Sequence, residues 1–66
     1  MHPDRIQAAI RAHRRLKRIY RQPERAPEWP EVVADLIDAD AYFKEQRELT
    51  PDQKLDYRRV RIALGK

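Results

Sequence analysis

The side chains with the most chemical capacity are two histidines, eleven carboxylates and three tyrosines, set among fifteen arginines and lysines. Serine, cysteine and asparagine are absent, and threonine (Thr50) and glycine (Gly65) occur once each. Nucleophilic catalysis through serine or cysteine is thereby excluded. A phosphate-cradling loop needs several glycines, and the sole one stands next to the C-terminus. His2 and His13 are too few and too far apart for a zinc site with supporting ligands. Asp35, Asp38 and Asp40 cluster in sequence, but on a helix they diverge, and no glycine-bearing calcium loop surrounds them. A solvated acidic face accounts for them. His13 and Asp40 are an imaginable acid/base pair, yet nothing in the sequence demands it, and 66 residues leave little volume for a pocket. The expectation is a protein with no catalytic residue, no cofactor and no metal.

What remains is charge, and it is unevenly placed. Residues 1–22 hold seven Arg/Lys against one acid, net +6. Residues 23–50 hold three against eight, net −5, and residues 51–66 five against two, net +3. The order is basic, acidic, basic. Arg11, Arg14, Arg15, Arg18 and Arg21 crowd one sector of the first segment. Guanidinium groups gathered on one face attract acidic protein surfaces, nucleic-acid phosphates and anionic lipids. The plain competing explanation is a solvated face built from arginine because genome composition favours its codons. The acidic middle can also sit between the two basic segments, where surface pairs are worth only ~0–1 kcal/mol each. Alternatively, the acidic face of one chain can meet the basic face of another.

Three segments with helical periodicity carry these residues, and none shows strand alternation. The first spans about 3–21, with Pro3 at its first position and Asp4 at the positive end of its dipole. Ile6, Ala9, Ile10, His13, Leu16 and Tyr20 share one face, widened by Ala8, Ala12 and Ile19. Gln22–Pro30 holds three prolines and reads as an extended linker. Trp29 within it is the largest apolar group; its ordinary role is to plug the end of the bundle, and its alternative is a partner-binding anchor. The second helix spans about 30–48. Val32, Val33, Leu36, Ile37, Ala39 and Phe43 form its apolar arc, and Tyr42 points elsewhere. Asp40 falls inside that arc and needs a cation there, either Lys44 one turn on or an arginine from another helix. The third spans about 51–64. Thr50-Pro51-Asp52-Gln53 matches a capping box, and Gly65 suits the left-handed residue that ends a helix. Leu55, Tyr57, Val60, Ile62 and Leu64 are its apolar residues.

These elements imply an all-α three-helix domain covering residues 1–66. A chain this short buries only ~60% of its unfolded surface, and without cysteine it has no disulfide to help. The broad apolar arc of the first helix therefore points to a homodimer. No apolar run reaches the ~20 residues of a membrane span, and the N-terminus lacks the apolar stretch of a secretory signal. The expected location is cytoplasmic. In size and composition the chain looks like compact accessory or regulatory proteins of phages and mobile elements, although no motif carries that likeness.

The leading functional reading is a non-enzymatic regulator or adaptor. It would bind an acidic protein surface through Arg11, Arg14, Arg15, Arg18 and Arg21, with Tyr20, Trp29 or Phe43 as apolar anchors. The alternative is nucleic-acid binding by the first-helix arginines, with Arg58 and Arg61 as a second contact set. A helix-turn-helix use of the third helix is disfavoured: the preceding helix is long, no glycine marks the short Leu49-Thr50 turn, and Asp52 would meet phosphates. A membrane-surface role for the first helix is weaker still.

Overall fold

A computed structural model describes residues 2–66 and contains three helices: α1 (Pro3–Ile19), α2 (Trp29–Glu45) and α3 (Pro51–Ala63). Among the described residues there is no strand. Each helix begins where proline costs least, within the first turn, whose N–H groups have no helical acceptor. In α1 the His2 Nδ1 accepts the Asp4 N–H at 3.1 Å, and Lys17 and Arg18 complement the dipole in the last turn. Thr50 caps α3 reciprocally. Its Oγ1 accepts the Gln53 N–H at 3.2 Å, and its own N–H donates to Gln53 Oε1 at 2.9 Å. Such caps are worth about 1 kcal/mol.

The helix ends are tighter than periodicity predicts. α1 stops at Ile19 rather than near Arg21, because Tyr20 is already extended and donates its N–H to the Leu16 carbonyl. The linker is not extended: Pro23–Arg25 winds into a 3-10 turn, and the Ala26 N–H reaches the Pro23 carbonyl at 3.0 Å. Proline suits that first position as it does in an α-helix. The turn delivers Ala26 into the core and lets α2 start at Trp29, one residue before Pro30. α2 stops at Glu45 rather than near Glu48. Pro51 forces Thr50 out of the helical region, and the expected short turn becomes a connection over 46–50. α3 closes on Gly65 at φ 74°, with the Lys66 N–H on the Arg61 carbonyl and the Gly65 N–H on the Ile62 carbonyl. This is the paired bonding of a glycine-terminated helix.

Contacts between the helices fix their order. Arg5 meets Asp35 at 2.9 Å and His13 stacks on Trp29, so α2 runs antiparallel to α1. Phe43 lies against Tyr57, and α3 runs back along α2 toward Asp40. Gln7 bonds Asp56 across α1 and α3, which are parallel. Each helix thus touches the other two, and the core fills the triangle between them. One large side chain from each is sealed from solvent: Leu16, Leu36 and Val60. Ile6, Ala9, Ile10, Ala26, Val32, Ala39 and Phe43 complete the core. Tyr42, placed elsewhere by the wheel, packs half-buried against Phe43 at 5.6 Å. Conversely, Ile37, Leu55 and Ile62, read as apolar-arc residues, are exposed. The geometry explains this: residues two apart on a helix stand about 200° apart, so Ile62 cannot share the core with Val60.

Asp40 is buried, at 4% exposure. Its Oδ2 accepts Lys44 Nζ at 3.0 Å and Lys66 Nζ at 3.3 Å. Lys44 is the expected local partner, but the second cation is the lysine that follows Gly65, not an arginine from another helix. The left-handed turn at Gly65 aims Lys66 back over α2. Burial pushes the carboxyl pKa upward, but the hydrogen bonds and charges of Lys44 and Lys66 outweigh it and hold it below 3.8. Oδ1 has no hydrogen-bond partner in the described structure.

Candidate functional site: a cation-rimmed groove

An open groove of about 520 Å³ runs between α1 and α3. Its length follows from helix periodicity. Arg14, Lys17 and Arg18 stand at i, i+3 and i+4 on the flank of α1 that looks toward α3. Arg59, Ile62 and Ala63 repeat that spacing on α3. Ile10 and His13 form the inner wall. Ile62 is the feature that separates this groove from an ordinary charged surface. It is 66% exposed, an apolar side chain held among cations. Among the described residues, Arg14, Lys17 and Arg18 have no carboxylate within ion-pair distance; Arg59 has only Asp56 at 3.5 Å. Four positive charges therefore line one groove with apolar surface that nothing among the described residues covers.

His13 belongs to this wall and to the core at once. Its ring centroid lies 5.1 Å from that of Trp29. Burial first, and then the Lys17 charge, lower its pKa below 6.5. Both causes favour the uncharged ring, so His13 adds little to the positive charge of the groove. Trp29 is half-buried against the core, in the plugging position expected of it.

The sequence-selected residues divide. Arg14 and Arg18 line the groove. Arg11 and Arg15 are exposed on the outer face of α1 beside it. Arg21 and Tyr20 lie past the end of α1, on a separate shallow depression with Gln22 and Arg25. Phe43 is buried and cannot serve as an anchor. Arg58 and Arg61 are exposed on the far side of Ile62, outside the groove, where they share a second depression with Ile62 and Tyr57; the Arg61 guanidinium sits 5.7 Å from the Tyr57 ring centroid. Lys17, Arg59 and Ile62 were not singled out as site residues from sequence. Their signal is a second basic helix with an isoleucine on its charged flank, legible only once α3 is known to lie beside α1.

The carboxylates do not converge. Asp35 bonds Arg5, Asp38 faces solvent and Asp40 is buried. Among the described residues no group of three or more His, Asp or Glu is placed to hold a metal ion, and no helix is long and apolar enough to cross a membrane. No protein-family model matches the chain, and no curated protein or solved structure is significantly similar to it.

Proposed function

We propose that the protein is a non-catalytic regulator or adaptor whose α1–α3 groove binds an acidic, amphipathic segment of a protein partner. The observation that carries this reading is Ile62 exposed within a ring of Arg14, Lys17, Arg18 and Arg59. A helix bearing an apolar row flanked by carboxylates satisfies both features, covering Ile62 while its acids meet the rim. A nucleic-acid backbone would neutralise the cations but leave the isoleucine without an apolar counterpart. Arg11 and Arg15 extend the attractive field beyond the contact and speed encounter more than they hold the complex.

The test is a titration of the full chain with a fluorescent helical peptide of repeating Leu and Glu, followed by anisotropy and by emission of Trp29, the single tryptophan. Saturable binding is expected. R14E/R18E should weaken it by about tenfold or more, equivalent to ~1.4 kcal/mol or greater, and R11E/R15E by much less. Duplex and single-stranded oligonucleotides serve as comparators. Oligonucleotides binding more tightly than the peptide at equal salt would overturn the reading.

A further inference from the structure

The chemistry the groove asks for is present on the opposite side of this same molecule. α2 turns Val32, Leu36, Ala39 and Phe43 to the core, which leaves the other half of its circumference to solvent. Glu31, Asp38 and Glu45 emerge there seven residues apart, in one row along the helix. Beside them runs a second exposed row of Ala34, Ile37 and Ala41, in which Ile37 is 53% exposed. Among the described residues, none of the three acids has a cation within ion-pair distance. The outward face of α2 is thus an acidic amphipathic helix, already folded and already anchored.

We infer that the outward face of α2 of one molecule docks into the α1–α3 groove of a second copy. The inference rests on the groove being a site for an acidic amphipathic helix, as proposed above, and names a second copy as one such partner. Unpaired carboxylates on one surface match the unpaired Arg14, Lys17 and Arg18 on the other, and Ile37 matches Ile62. Each helix of the bundle touches the other two, so the groove between α1 and α3 lies opposite the outward face of α2. Two molecules therefore cannot satisfy both surfaces with each other. The contact is heterologous, head to tail, and each added copy presents a fresh groove and a fresh acidic face. This differs from a closed dimer built on α1. Ala12 is drawn against the core, leaving Ala8, Ile19 and Tyr20 as the exposed remainder of that wide arc. A copy seated in the groove also occupies the site a foreign acidic segment would use, so self-association and partner binding exclude one another.

Sedimentation of the full chain at high micromolar concentration tests this. In about 0.01 M salt, where screening reaches roughly 30 Å, the average mass should climb above 8.0 kDa with concentration and show no plateau at a dimer. In about 1 M salt, where screening is roughly 3 Å, it should fall back toward one chain. R14E/R18E alone and D38K/E45K alone should each stay monomeric, with helicity confirmed by circular dichroism. Mixing them should restore association, because each variant carries the surface the other needs. A wild-type chain that stays monomeric in low salt overturns the inference, as does D38K/E45K associating as the wild type does. If the wild type is monomeric while the acidic peptide still binds, only self-docking falls; if neither occurs, the groove reading falls with it.

Discussion

Replacing Lys44 and Lys66 together by alanine removes both cations from Asp40 while leaving its carboxylate in the core. Lys44 and Lys66 are half-exposed, whereas the Asp40 side chain is 6% exposed, so the variants lose little packing of their own. Oδ1 already lacks a partner, and in the double variant Oδ2 lacks one as well. An unsatisfied buried polar group costs about 1–3 kcal/mol, more when charged. Alanine at position 44 returns a few tenths of a kcal/mol through helix propensity. The net expectation is a loss of about 2 kcal/mol at pH 7. In a domain of this size that lowers the melting temperature by roughly 10 °C, read by circular dichroism at 222 nm. The pH dependence sharpens the test. In the wild type the carboxyl pKa is held below 3.8, so its stabilising contribution is present above that value and lost as pH falls through the lowered pKa. In the double variant burial acts alone and raises the pKa, so protonation relieves the strain. The gap between the two proteins should therefore narrow on acidification toward pH 4. D40L, which removes the charge and frees the lysines into water, should be neutral or stabilising. A double-variant loss under ~0.5 kcal/mol, or a gap that widens in acid, would refute the buried, lysine-held carboxylate.

Two further outcomes follow from the core. L36A truncates a side chain with no solvent exposure; it should cost about 2–5 kcal/mol and leave a broad, weakly cooperative melt, and a sharp transition near the wild-type temperature would contradict the packing. The lowered pKa of His13, below 6.5, makes its stabilising contribution complete above pH 6.5 and lost as pH falls through the folded-state value. Urea midpoints should thus be higher at pH 7.5 than at pH 5.5, and H13Q should flatten that difference.

The architecture was legible because its signals are local. The Thr50-Pro51-Asp52-Gln53 cap and the Gly65 stop act within a few residues of themselves, and the Ile6, Ala9, Ile10, His13, Leu16 period needs no partner to be seen. Helix ends were less legible, since Tyr20 and Gln46 leave the helix to let the chain turn, a demand set by the neighbouring helix. The linker misled because prolines that exclude a long helix still permit a 3-10 turn, and that turn hides Ala26. The site was half legible. Arg14 and Arg18 stand out from composition alone, but nothing in sequence separates them from Arg11 and Arg15 until α3 is laid beside α1. Arg59 and Ile62 acquire meaning only through that juxtaposition. The exposed acids of α2 were visible as charge; their pairing with an apolar row appeared once the core face of α2 was fixed.

A residue-by-residue map of peptide binding separates the groove from the rest of the basic surface. The full chain, labelled with nitrogen-15, is titrated with the Leu/Glu helical peptide, and amide shifts are followed by heteronuclear correlation spectra. The largest shifts should fall on Ile10, Arg14, Arg18, Arg59, Ile62 and Ala63, with smaller ones on Arg58 and Arg61, which flank Ile62 outside the groove. Shifts centred on Arg11 and Arg15 alone, or on Arg58 and Arg61, would mean that general basicity and not the groove receives the peptide, and would contradict the proposed function.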